Sequence, residues 1–238
     1  MTLSNLELPL RRTAMKRDSN RRQFIKWGAG AAGALALFSP FSKALAETCG
    51  LTPPQTAGPF FPGEKEFHPD TDLTYIAGHS KRAKGKVISV VGRVLDQNCK
   101  PISGAAVEIW QACASGRYNN PKDTNPAAMD PDFKYWGEDF TDDNGRYRFK
   151  TVIPGAYPAD VDWTRPPHIH FKITKLGFHE LTTQLYFKGD PLNDKDYILQ
   201  KIPEHQRDQV IVEFVASDHE GEIGTLTGKF DISLKSIR

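Results

Sequence analysis

Asp142-Asp143-Asn144-Gly145-Arg146-Tyr147-Arg148-Phe149 decides the fold class of this 238-residue chain. Asp and Asn side chains bond their own backbone two residues on, and Gly takes positive φ freely, so the first four residues read as a hairpin turn. The next four alternate charge with aromatic ring, the period of a strand with one buried face. The same alternation of turn and strand recurs on both sides. Residues 87–95 are rich in β-branched side chains and end in the turn Asp96-Gln97-Asn98. Residues 106–111 alternate apolar and polar, and residues 168–173, 181–187, 209–215 and 228–234 continue the series. Residues 196–201 suit only a brief helical turn. With short strands and no long amphipathic helix between them, residues 87–238 read as an all-β antiparallel β-sandwich. Residues 47–86 hold Pro53-Pro54, Gly58-Pro59 and Pro62-Gly63, and read as an irregular, Pro-rich N-terminal arm.

Residues 1–46 read as an export leader. Arg21-Arg22-Gln23-Phe24-Ile25-Lys26 is a twin-arginine run, a Gly/Ala-rich apolar stretch follows, and Ala44-Leu45-Ala46 offers a cleavage site. The apolar stretch is shorter than the roughly 20 residues of a membrane span. The expected destination is therefore the periplasm or the medium, with no membrane association after cleavage. Eight of the 31 basic side chains but only two of the 29 acidic ones lie in this leader, so the remainder carries a net charge of −4. No basic stripe is left to bind nucleic acid. Cys49, Cys99 and Cys113 all follow the leader, where an oxidising compartment permits one disulfide, and spacing alone does not choose the pair.

Chemistry concentrates in Arg165-Pro166-Pro167-His168-Ile169-His170-Phe171. Residues i and i+2 of a strand share a face, so His168 and His170 point the same way. Tyr157 stands eleven residues before His168. Two imidazoles and a phenol form a metal site, and a phenol needs an oxidised, high-charge ion such as ferric iron to ionise at neutral pH. Arg165 is stiffened by the prolines after it, either as a cation held beside a metal or as part of a plain loop. Gln184 would face the same pocket if residues 181–187 pair with the histidine strand. Tyr118 sits in a turn-rich loop where packing is the commoner role, and Tyr135, Tyr147, Tyr186 and Tyr197 are its rivals. Tyr147 and Tyr186 read as ordinary strand aromatics. His179 lacks the second histidine of a zinc-protease motif. His68, His79, His205 and His219 read as surface residues.

The chain resembles the intradiol ring-cleavage dioxygenases of the protocatechuate 3,4-dioxygenase type. The matching segments run in order: Pro54-Gln55-Thr56-Ala57-Gly58-Pro59-Phe60-Phe61, Pro101-Ile102-Ser103-Gly104-Ala105, Glu108-Ile109-Trp110-Gln111, Gly116-Arg117-Tyr118, residues 141–149, Pro154-Gly155-Ala156-Tyr157-Pro158, residues 165–171 and Thr183-Gln184-Leu185-Tyr186-Phe187. The resemblance implies a β-sandwich, an Fe(3+) cofactor, and the ligands Tyr118, Tyr157, His168 and His170. It implies catalytic roles for Tyr157, as the phenolate that leaves when substrate binds, and for Arg165 and Gln184 beside the metal. It implies a catechol-type substrate and O2, with a muconate-type diacid as product. Residues 47–86 lack the helical region by which the catechol and hydroxyquinol branches dimerise, so a protocatechuate-like substrate is favoured. The same type implies a homo- or hetero-oligomer with a second, unlike subunit as an option.

Two other classes share part of this pattern. A non-catalytic binding module would have the strands without the ligand set. A zinc hydrolase would pair His168 and His170 with a carboxylate such as Asp162 or Glu180, since zinc sites rarely take two tyrosines.

Overall fold

The computed structural model describes residues 49–63, 70–216 and 225–237. The leader, His68 and His219 lie outside the described residues. Twelve strands run through the rest: β1 (Val87–Asp96), β2 (Ala106–Trp110), β3 (Trp136–Phe140), β4 (Arg146–Val152), β5 (Tyr157–Asp160), β6 (Trp163–Arg165), β7 (His168–Thr174), β8 (Leu181–Phe187), β9 (Ile211–Val212), β10 (Phe214–Ala216), β11 (Leu226–Lys229) and β12 (Ile232–Leu234). Among the described residues, helix is confined to two 3-10 turns, at Asn193–Lys195 and Leu199–Lys201, and one turn of α-helix at Glu204–Arg207. Among the described residues, no helix is long and apolar enough to cross a membrane.

Ten of the strands form the two sheets of a sandwich, and β5 and β6 pair as a separate two-stranded ribbon. One sheet joins β10, β11, β1 and β12, with β4 on the other side of β1. The other runs β3-β2-β7-β8-β9. Ile88, Val90 and Phe149 of the first sheet enter one core with Val107, Ile109, Ile169, Phe171, Ile173 and Leu185 of the second, and each of these nine is fully buried. Period two explains the division: in β4 the buried and exposed residues alternate along Arg146–Val152.

Three expectations change. The turn at Asp142-Asp143-Asn144-Gly145 does not close a hairpin. Asp142 Oδ1 accepts from the Asn144 and Arg146 amides, so the turn itself forms. The strands it joins then part: β3 pairs with β2, and β4 pairs with β1 over seven residues from Val87↔Val152 to Arg93↔Arg146. The long ladder to β1 outweighs a two-strand ribbon that would be marginal on its own. Residues 209–215 make two short strands instead of one, with Glu213 between them: β9 pairs with β8 in the second sheet and β10 pairs with β11 in the first. The chain thus changes sheets at that corner. The all-β sandwich stands, but it is not wholly antiparallel, because β1 is parallel to both β11 and β12, and β8 to β9. The long connections that parallel neighbours need are strands of the other sheet between β1 and β11, and the helical turns of residues 193–207 between β8 and β9.

The arm is extended and anchored. Cys49 is bridged to Cys99, which resolves the cysteine pairing, and Cys113 is a buried free thiol. Thr52 exchanges hydrogen bonds with Ser233, its amide donating to the Ser233 carbonyl and its hydroxyl accepting from the Ser233 amide. The Gln55 amide donates to the Thr182 carbonyl (2.8 Å), and the Thr183 hydroxyl to the Pro53 carbonyl (2.8 Å). The arm is therefore bonded to both sheets, to β12 of the first through Thr52 and to β8 of the second through Pro53 and Gln55.

Candidate metal centre

The outer face of the second sheet carries the site. Ile169, Phe171 and Ile173 of β7 point into the core, so His168 and His170 point outward. The register sets His170 opposite Trp110 of β2 and Gln184 of β8, and His168 opposite Tyr186. The hairpin of β7 and β8 thus brings Gln184 alongside the imidazoles, as its alternation predicts. The two imidazole rings lie 4.9 Å apart between centroids at 76°, edge to face rather than parallel. Trp110 stacks on His170 at 4.7 Å and 7°, fixing that ring.

Loops bring the phenols. Gly116 has φ +85°, and a Cβ there would stand 2.3 Å from the Ala156 carbonyl oxygen, so only glycine lets this loop lie against the chain entering β5. Beyond it the Tyr118 amide donates to Asp123 (2.7 Å), and Arg117 donates to the carbonyls of Asn125 and Ala127. These bonds turn the Tyr118 ring inward, 5.5 Å from the Tyr157 ring. The Tyr118 hydroxyl lies 3.4 Å from His168 Nε2. Tyr157 opens β5, its ring 5.7 Å from that of His168. All four side chains are buried, none more than 6% exposed. The arm covers them: Phe60 packs on both Tyr118 and Tyr157, and a Cβ on Gly58, whose φ is +69°, would stand 3.6 Å from His170 Cε1.

Behind His168 lies a buried polar network. Arg165 Nε and Nη2 donate to the two oxygens of Asp196 (3.1 and 2.9 Å). Nη2 also donates to Gln184 Oε1 (2.8 Å) and to the Tyr186 hydroxyl (3.0 Å), and Nη1 reaches His168 Nε2 at 3.1 Å. Gln184 Nε2 donates to the Thr56 carbonyl (2.9 Å), and Gln55 Nε2 to the Tyr186 hydroxyl (3.1 Å), so the arm closes the network. Arg165 and Asp196 are 3% and 0% exposed, and a pair so deep needs every lone pair and proton satisfied.

Protonation in this cluster favours metal binding. Burial, then the Arg165 charge, pushes His168 well below the usual imidazole range, and burial, then His168, does the same to His170. Both rings are neutral, with lone pairs to give. His168 Nδ1 lies 2.7 Å from the Pro166 carbonyl, so Nδ1 carries the proton and Nε2 presents its lone pair to the cluster. His170 Nδ1 is buried with no hydrogen-bond partner. Burial, followed by Tyr157, pushes the Tyr118 phenol well above its ordinary value. Burial raises Tyr157 too, against the pull of Arg165. Neither phenol ionises here without a strong positive charge among them, so the donor set of two neutral imidazoles and two phenols suits an oxidised, highly charged metal ion.

The remaining candidates fall elsewhere. Tyr147 is a core residue whose hydroxyl donates to the Phe230 carbonyl. Tyr135 accepts from the Asp130 amide (2.7 Å), and Tyr197, 62% exposed, packs on Trp163. His79 and His205 are exposed. Tyr186 is not the ordinary strand aromatic its sequence suggests, because its hydroxyl joins the Arg165 network. The signal was its place two residues after Gln184 on one face of β8. Asp196 gave no such signal, since it lies between two 3-10 turns, where a carboxylate is unremarkable. Asp162 is exposed, and Glu180 is exposed and paired with Lys172 (3.2 Å). Among the described residues, no three His, Cys, Asp or Glu side chains converge on one point, so the zinc-hydrolase ligand set does not form.

A cavity of about 600 Å³ opens beside Tyr157 and Arg165. Phe60 and Trp163 supply aromatic walls, and Lys122, Thr124 and Asn125 line it as well. Its size suits one small aromatic ligand.

Comparison with known proteins identifies the family. A family model described as "Dioxygenase" matches residues 57–236, and one for the twin-arginine translocation pathway signal sequence matches residues 18–38. The chain therefore carries a twin-arginine export signal, which directs it to the periplasm or the medium. The protocatechuate 3,4-dioxygenase beta chain of Burkholderia cepacia is 44% identical over 177 residues, 73% of this chain and 75% of that one. The catechol 1,2-dioxygenase of Candida albicans is 31% identical over 158 residues, 61% of this chain but only 48% of that protein. The dioxygenase domain of a dioxygenase and carbohydrate-binding fusion from Streptomyces sp. SirexAA-E superposes with a TM-score of 0.59 at 29% identity, covering 79% of this chain and all of that domain. The family match spans the sandwich, the arm over the site and both histidines, and the chain belongs to the intradiol ring-cleavage dioxygenases.

Proposed function

We propose that Tyr118, Tyr157, His168 and His170 hold one ferric ion, and that the enzyme opens catechol-type rings between their two hydroxyl-bearing carbons, with a protocatechuate-like substrate preferred. The observation that carries this is the meeting of two buried phenols and two neutral buried imidazoles in one cluster. The chemistry ferric iron supplies is Lewis-acid withdrawal of electron density from the bound catecholate, which readies a ring carbon for O2. Both oxygen atoms end in the muconate-type diacid.

The protein's own groups do the rest. Tyr157 faces the cavity and accepts a catechol hydroxyl proton at its phenolate oxygen, serving as the internal base. Tyr118, packed inside the Asp123 loop, stays in place. Arg165 offsets the negative charge that gathers on the ring, and the bonds it donates to Asp196, Gln184 and Tyr186 hold its plane before substrate arrives, so no reorganisation is needed during reaction. Phe60 and Trp163 keep water from the ring. Assembly with a second subunit, like or unlike, is part of the reading taken from the relatives.

Two variants test it, Tyr157→Phe and His168→Ala, with iron content and dihydroxybenzoate turnover measured on each. The expected result is loss of iron from His168→Ala and loss of turnover from both. Full iron and full activity in both variants would refute the assignment. Tyrosinate–ferric charge transfer should also colour the protein red, whereas a zinc protein would be colourless.

A further inference from the structure

We propose that Lys122 is the specificity-determining residue for ring substituents, giving the enzyme its preference for a catechol that carries a carboxylate; this rests on the ring-opening reading above. Three charged side chains line the cavity. Arg165 is one, and its guanidinium is already matched by the two oxygens of Asp196 at 3.1 and 2.9 Å. Asp123 is the second, and its carboxylate is turned away to the backbone, accepting from the amides of Tyr118 (2.7 Å) and Asn125 (2.9 Å). Lys122 is the third. It is exposed on the loop that carries Tyr118, and its backbone is held there, the amide donating to Asn120 Oδ1 (3.0 Å). Of the three charges, only the Lys122 ammonium has no counter-ion among the described residues.

The neighbours fit a charged ring. Phe60 and Trp163 offer flat apolar walls to the ring faces, and Thr56, Thr124 and Asn125 line the cavity with groups that hydrogen-bond without charge. A ring whose hydroxyls meet Tyr157 lies within this cavity, and a substituent on the far side of the ring turns away from the buried cluster towards the loop of Lys122. A carboxylate there gains a cation in a concave, partly shielded place, where an ion pair is worth more than on an open surface. Unsubstituted catechol gains nothing from the same residue. Discrimination between the two rings is then a difference in affinity set by one side chain.

The test uses the full iron-loaded enzyme, with binding and turnover read separately. Titration calorimetry without oxygen gives Kd for protocatechuate and for catechol with the wild type, Lys122→Met, Lys122→Glu and Lys122→Arg. The expected result is a wild-type preference for the carboxylated ring that falls about fivefold in Lys122→Met, falls further in Lys122→Glu and returns in Lys122→Arg. Added salt should weaken the wild-type preference and leave that of Lys122→Met unchanged. A preference ratio in Lys122→Met within twofold of wild type overturns the proposal, as does a wild type that does not favour the carboxylated ring. Oxygen uptake is the separate readout for the reading above: binding with the expected preference but no ring opening would sink that reading and leave the role of Lys122 standing.

Discussion

The two faces of β7 do opposite work. Ile169, Phe171 and Ile173 enter the core, while His168 and His170, one residue out of step with them, stand on the outer face among Trp110, Gln184 and Tyr186. Both faces are buried, yet for different reasons. The inner face is covered by the other sheet, the outer by loops and the arm. Apolar burial needs only volume and contact, whereas each buried polar group needs a partner. The outer face therefore holds the dense network around Arg165, and the inner face holds none. A strand with one side on the core and one under a lid can thus tie a rigid scaffold to a reactive cluster without a joint between them.

Substitutions that separate the faces test this contrast. The largest effect is expected from the outer face: His170→Ala should remove a proposed ligand and lower turnover on the order of a thousandfold, with unfolding of the metal-free protein changed far less. Equal loss of stability and of turnover would break the contrast. From the inner face, Phe171→Ala should cost about 3–5 kcal/mol in denaturant unfolding, while the folded fraction still binds metal in full proportion. Asp196→Asn sharpens the picture within the outer face. It keeps the shape but leaves the guanidinium of Arg165 uncompensated, and turnover should fall about 10- to 100-fold with iron content retained. Loss of iron in that variant would make Asp196 a structural part of the ligand cluster instead of a positioning residue.

The smallest effect is a pH dependence of the metal-free protein. Both imidazoles are held below their usual range by burial, so below about pH 6.5 the unfolded chain binds more protons than the folded one. The stability this supplies is complete above that value and is lost as pH falls, by up to about 1.4 kcal/mol per pH unit for each histidine. Urea unfolding between pH 7 and 5 measures the slope, and His170→Ala should flatten it. An unchanged slope would mean that this imidazole is not held neutral by the fold.

How much was legible follows the same division. The histidine pair and Gln184 could be read from the chain because period two is a local rule, and the register of β7 with β8 then follows from one short turn. Tyr118 and Tyr157 could not be placed by spacing. Their positions depend on Gly116 passing close to Ala156 and on Asp123 bonding the Tyr118 amide, contacts that no periodicity encodes, so Tyr157 was a candidate only by its nearness in sequence to the histidine pair, and only the resemblance pointed to Tyr118. Asp196 lay beyond both routes. The turn at Asp142-Asp143-Asn144-Gly145 was read correctly as a turn and wrongly as a hairpin, because strand partners are decided by ladders far away in sequence, here the pairing of β4 with β1.

The bridge between Cys49 and Cys99 bears on how the enzyme endures outside the cytoplasm. Here Cys49 of the arm is fastened just past the exit of the longest strand, and the arm residues after it include the roof of the reactive cluster. The covalent staple holds the arm against the sandwich, and a thiol reductant becomes the simplest way to loosen the roof.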